Sequence, residues 1–216
     1  SYMKRIIYSF YIDIPKDELD IFDKNILKPG QAPVNYHTKN AFRKNYQKLI
    51  SCKEWYASEC DVEFKLIEYD SDFIFYKDKL KGNFPYLTTY NIVNFYKIHL
   101  LYKLAKEYDE VLYLDFDVVP MKYDNFFEHW DLSKGIAVLN NNDRRTLIEN
   151  VSDTSQTIRS PSSKYFNAQA MLFEKGLSSE NDVINTGIIG ASAKHLKDLK
   201  YFDDFDNDLK LMCDLK

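Results

Sequence analysis

Glycine and proline are scarce in this sequence, six of each in 216 residues. A β-protein built on tight turns needs more of both, so that class is disfavoured. Cysteine is scarcer still. Cys52, Cys60 and Cys213 are odd in number and none belongs to a Cys-x-x-Cys pair. That pattern argues against a zinc cluster and a disulfide framework, and reads as free thiols in a reducing compartment such as the cytoplasm. No apolar run approaches the ~20 residues that span a bilayer, and no signal-peptide core is visible. Without a secretory signal, the sequon at Asn150-Val151-Ser152 reads as chance. A net charge of only −4 argues against a nucleic-acid surface.

What is abundant is apolar and aromatic. Hydrophobic residues make up 45%, with seventeen tyrosines and fifteen phenylalanines. The length suits one large domain over residues 1–216, able to bury roughly 70% of its unfolded surface. Aromatic side chains stack on bases and sugars, but core packing accounts for most of them. Ser1 and Tyr2 ahead of Met3 read as an added tail, and the charged helical pattern at the end reads as a domain cut from a longer chain.

Residues 5–12 form a β-rich apolar run that opens the fold as a buried strand, followed by Asp13 and Pro15. From 39 to 55, Phe42, Tyr46, Leu49 and Ile50 recur at helical spacing with lysine and arginine on the other side. Residues 62–67 read as a second strand, running into an acidic turn at Asp70-Ser71-Asp72. After a loop around Pro85, Thr88 or Thr89 caps a long helix through Ile92, Tyr96, Leu100 and Leu104. Residues 135–139 and 183–190 read as further strands, the first ending in the polar cluster 140–143. The Ser- and Thr-rich stretch 150–163 reads as a loop, 165–172 as a helix, and 193–200 and 203–215 as two charged helices. Alternating strands and helices predict an α/β domain with a largely parallel sheet, whose ligands bind at the carboxyl ends of the strands.

The most informative run is 111–120, Val-Leu-Tyr-Leu-Asp-Phe-Asp-Val-Val-Pro. An apolar strand leads into two carboxylates two positions apart. If the strand continued through them, Asp115 and Asp117 would share one face. At roughly 6 Å and an effective dielectric of about 20 they would repel by about 3 kcal/mol. A hard divalent cation, Mg²⁺ or Mn²⁺, held by two carboxylates and substrate phosphates, turns that repulsion into attraction.

The segment 96–120, a helix followed by the strand and its Asp115-Phe116-Asp117, resembles the Asp-x-Asp region of glycosyltransferases with the GT-A fold, closest to family-8-like and viral sugar transferases. Ile184-Asn185-Thr186-Gly187-Ile188-Ile189-Gly190 is similar to the Asn-x-Gly strand those enzymes carry beside the sugar. The resemblance runs from about residue 4 to 200. The whole chain also resembles the N-terminal transferase domain of a multidomain viral protein, which implies further domains of the same chain and a place in the host cytoplasm. It implies transfer of a hexose or deoxyhexose from a nucleotide-sugar donor, most often a UDP-sugar, to a glycan hydroxyl, with Mn²⁺ or Mg²⁺ on the diphosphate. By position Asp117 would bind that metal directly, and Asp115 would act through metal, water or ribose. Phe10, Tyr11 and Asp13 match where the family holds the uridine, with Asp70 or Asp72 accepting from the uracil imide. Lys97 or His99 matches a basic residue near the donor, and Gly187 lies at the sugar-side strand.

The resemblance departs from the family in two places. The late His-containing metal motif is absent, and His195 reads as a helix start rather than a third ligand. Gln169 replaces a glycine in 165–172, which leaves the sugar-side strand at Asn185 to Gly187. An inverting reaction needs a carboxylate base, for which Asp143, Glu180 and Asp182 are candidates. A retaining one needs none, and Asn185 would steady the sugar. The family-8-like relatives retain, which leans the reading that way. Arg144, Arg145 and Arg159 read first as surface charges. Two other classes compete. A haloacid-dehalogenase-type phosphatase would use Asp115 as nucleophile and Asp203-Asp204 as its later acidic pair. A non-catalytic calcium- or sugar-binding module would use 203–208, which lacks the glycine and glutamate of an EF-hand.

Overall fold

The computed structural model describes residues 2–15, 36–85, 87–140, 172–173, 175–178 and 184–214. Its strands are β1 (Arg5–Tyr11), β2 (Glu63–Glu68), β3 (Glu110–Leu114), β4 (Ala137–Asn140) and β5 (Ile184–Ser192). They form one sheet in the order β2-β1-β3-β5-β4. β1 pairs in parallel with both β2 and β3, and β3 pairs antiparallel with β5. The described helices are α1 (Tyr36–Lys44), α2 (Tyr46–Glu59), α3 (Ser71–Asn83), α4 (Thr89–Leu104), α5 (Phe126–His129), α6 (Ala193–Leu199) and α7 (Phe205–Asp214). The fold is the expected α/β class. The chain divides into two compact units, Ser1–Ala137 with Gly187–Leu199, and Val138–Thr186 with Lys200–Lys216.

In the first unit, alternation along β1 sorts side chains onto two helix layers. Ile7 packs with Leu112 and Leu114 of β3 against Tyr56 and Ala57 of α2, joined by Phe127 and Leu132. On the other face Tyr8 and Phe10 meet Tyr113, and Phe10 also meets Tyr96 of α4. Many of the aromatics are thus core. The buried Tyr8 hydroxyl is satisfied by the Lys97 carbonyl at 2.9 Å, which ties β1 to α4.

Local chemistry sets the element ends. Thr88, not Thr89, caps α4, in a reciprocal capping box with Asn91. α2 ends with Asp61 at φ 53°, the Asp61 and Val62 amides bonding back to Ser58 and Ala57. That is a Schellman motif with an aspartate where glycine is usual. Two expectations need correction. The helix expected over 39–55 is two helices, broken at Asn45, and begins earlier. The acidic turn at 70–72 opens α3: the Asp70 carboxylate accepts from the Phe73 amide, so the pattern read as a turn is an N-cap.

Candidate functional site

β3 ends at Leu114, and there the chain turns. The Asp115 amide donates to the Gly187 carbonyl of β5 at 2.8 Å, and the Val118 amide closes back onto the Asp115 carbonyl at 3.0 Å. Asp115, Phe116 and Asp117 therefore lie in a tight turn at the carboxyl end of β3. This corrects the expectation that strand alternation puts both carboxylates on one face. The last ladder bond to β5 is made by the Asp115 amide, and the turn through Phe116 and Asp117 takes the second acid out of the strand. Asp115 keeps 36% of its side chain exposed and Asp117 is exposed. The intervening Phe116 is buried against Tyr11, Phe42 and Tyr46. An apolar middle residue anchored in an aromatic cluster holds the two acids on the surface.

Asp115 is held by cationic and neutral donors on one oxygen. Lys97 of α4, whose side chain is 6% exposed, brings Nζ to within 3.1 Å of Oδ1. The Tyr113 hydroxyl donates to the same oxygen at 2.5 Å. Burial, with the Asp115 charge, holds the Tyr113 phenol well above its ordinary pKa, so it stays a donor. Of the two basic candidates on α4, the structure brings Lys97 to the turn. His99 instead stacks on Tyr96 and lies beside Tyr76, where burial lowers its pKa.

Beside the turn, Tyr11 donates to Asp13 at 3.2 Å, and Arg43 of α1 grips Asp13 through two nitrogens at 2.9 and 3.0 Å. The Arg43 guanidinium holds the Asp13 carboxyl below the usual carboxylate range. Tyr11 also meets Tyr46, whose hydroxyl binds Glu68 and is pushed up to about 12. Phe10 is buried on the opposite face of the sheet, against Tyr96 and Tyr113. Asp70 is engaged as the α3 cap, and Asp72 pairs with Lys103 at 3.2 Å.

Gly187 and Asn185 both lie on β5, where Asn185 is exposed. His195 opens α6, its amide donating to Ser192 Oγ and its Nε2 lying 2.8 Å from the Ser133 carbonyl. Asp143, Glu180, Asp182, Arg144, Arg145 and Arg159 lie outside the described residues, as do 150–163 and most of 165–172. In the second unit Asp204 and Asp208 share Lys175, so these acids already have a cation of the chain's own.

One charged residue beside the turn escapes a sequence reading. Lys53, counted with the lysines and arginines opposite the apolar stripe, is fully buried on α2, three residues from Ile50 and four from Leu49 and so on the apolar face. Its Nζ donates to the Phe116 carbonyl at 2.6 Å. Burial lowers its pKa, against the opposing pull of Cys52, Asp117 and Asp115. Only the sequence position of a lysine among the apolar residues Leu49, Ile50, Tyr56 and Ala57 hints at it.

Among the described residues no three His, Cys, Asp or Glu side chains converge on a common point. The donors at the turn are two hard carboxylates, one exposed and one half-exposed. They fit a cation of the Mg²⁺ or Mn²⁺ kind that takes few protein ligands and fills its shell with phosphate and water. An open depression of about 540 Å³, lined by Glu54, Asp61, Glu63 and their neighbours, lies instead at the start of β2. That is the amino end of the parallel strands, where α/β ligand sites do not form.

A profile of glycosyl transferase family 8 matches residues 7–204. No curated protein and no solved structure matches the chain. The matched span takes in the Asp115–Asp117 turn, the Lys97 helix and β5, and it covers most of the sequence. The chain belongs to glycosyl transferase family 8 and is a glycosyltransferase.

Proposed function

We propose that this enzyme moves a sugar from a UDP-sugar to a glycan hydroxyl, with the donor diphosphate held at the Asp115–Asp117 turn through Mn²⁺ or Mg²⁺. The observation that carries this reading is the turn: two carboxylates flank a buried aromatic at the carboxyl end of β3, with the Lys97 ammonium 3.1 Å from one of them. A bound divalent cation supplies Lewis-acid stabilisation of the negative charge that develops on the leaving diphosphate. Asp117 holds that cation directly, and Asp115 holds it or orders water and ribose. Lys97 orients Asp115 and adds positive charge on the donor side. Tyr11 and Asp13 form the platform for the uridine, Phe10 anchors the end of β1 from the opposite face, and Arg43 fixes Asp13 in place.

For the sugar we favour retention, in which the leaving phosphate takes the acceptor proton and the Asn185 amide steadies the ring. Asp143 or Asp182 would be the base of an inverting reaction. The single transferase domain spans both compact units and works in a reducing compartment, the host cytoplasm if the chain is viral. Membership of a glycosyltransferase family displaces the phosphatase reading, in which Asp115 would be a nucleophile, and the non-catalytic binding module.

A thermal-shift panel of nucleotide sugars, with and without Mn²⁺, tests this reading. A donor at a hundred times its Kd stabilises by about 2.7 kcal/mol, which for a chain of this size raises Tm by roughly 5–10 °C. UDP-sugars are expected to give such a shift only with the metal present. A panel in which no UDP-sugar shifts Tm under either condition would overturn the proposal.

A further inference from the structure

Lys53 carries a charge in a place where an apolar residue would fill the same space. It has no exposed surface, and a buried ammonium forfeits its hydration unless strong partners replace it. One of its bonds, to the Leu49 carbonyl at 2.9 Å, stays within α2. The other crosses 63 residues of sequence to the Phe116 carbonyl at 2.6 Å, and Nζ sits 5.3 Å from the centre of the Phe116 ring. Phe116 is thus held twice, by its ring in the aromatic cluster and by its carbonyl on Lys53. The Phe116 carbonyl belongs to the peptide plane that joins Phe116 to Asp117. Fixing that plane places the Asp117 Cα, and closure of the turn then restricts the φ that decides where the Asp117 side chain leaves the backbone. Phe116 and Asp117 are also the two central residues of the turn closed by the Val118 amide on the Asp115 carbonyl.

We propose that Lys53 is a positioning residue for sugar transfer: its ammonium holds the Phe116 carbonyl and so aims Asp117 at the diphosphate of the donor. The inference rests on the donor site proposed above, but the clamp itself can be read without any donor. In Lys53→Met, hydrogen exchange of the Val118 amide should quicken at least tenfold while the Leu112 amide in β3 keeps its parental rate. The Kd for UDP with Mn²⁺, read by calorimetry, should rise about tenfold, and Lys53→Arg should recover part of both effects. Exchange at Val118 within twofold of the parent, or equal quickening at Val118 and Leu112, overturns the clamp. An unchanged Kd for UDP with Mn²⁺ overturns its link to the donor. If the parent itself binds no UDP, the donor-site reading falls while the exchange data still decide the clamp. Should Lys53→Met fail to fold, the same measurements on Lys53→Gln decide in its place.

Discussion

Lys97 is nearly buried and its ammonium meets Asp115 at 3.1 Å, so its charge acts where water screens it poorly. A hydrogen bond to a charged group of this kind is worth about 1.5–3 kcal/mol. Lys97→Met should therefore weaken UDP binding in Mn²⁺ by about 10- to 100-fold by calorimetric titration, because Asp115 loses its orienting cation and the diphosphate a neighbouring charge. A change under threefold would remove Lys97 from the donor site. Asp13 gives a pH-dependent counterpart. Its carboxyl is held below the usual value of about 3.9 mainly by hydrogen bonds from Arg43. A depressed carboxyl stabilises the fold above the unfolded pKa and loses that contribution as pH falls through the folded one. Arg43→Gln should thus move the Asp13 carbon-13 titration midpoint upward and start acid unfolding at a higher pH. The stability effect stays small because Arg43 is largely exposed. An unmoved midpoint would mean that the ion pair does not persist in solution.

At the scale of elements, the scarcity of glycine has a structural consequence. α2 must hand the chain to β2 through a left-handed residue, and Asp61 fills that position at φ 53°. The left-handed conformation costs a non-glycine residue about 1–2 kcal/mol. Asp61→Gly should therefore stabilise the fold by about 1 kcal/mol, or roughly 2–4 °C in Tm, and leave UDP binding unchanged. A lower Tm would show that the Asp61 side chain contributes more than its backbone costs.

The same elements show what a sequence can disclose. β1 and β3 were legible because both are buried as near-continuous apolar runs, and α4 because its apolar spacing begins at a capping threonine. α3 was not, since Asp-Ser-Asp satisfies a helix N-terminus and a turn by the same side-chain hydrogen bond to backbone. The place of the aspartate pair at the end of a buried strand was legible, but its turn geometry was not. Nothing in Leu-Asp-Phe-Asp says that strand pairing ends with the Asp115 amide, because the turn that follows is closed by the Val118 amide from outside the motif. Lys53 was the least legible. Its spacing puts it on the apolar face, but the carbonyl that satisfies its charge there, that of Phe116, lies 63 residues away.

For the molecule as a whole, family membership and the placement of the acids reinforce each other. The family establishes sugar transfer across residues 7–204, and the sheet sets the Asp115–Asp117 turn at the strand ends where α/β proteins take their ligands. The claim that joins them is that this turn grips a cation on the donor diphosphate. Calorimetric titration of UDP into the parent and into Asp117→Ala, each with and without Mn²⁺, tests it most directly. The parent should bind only in Mn²⁺, and Asp117→Ala should show no metal-dependent binding while unfolding within a few degrees of the parent, since exposed Asp117 contributes little to stability. Metal-dependent binding that survives undiminished in Asp117→Ala would contradict the account.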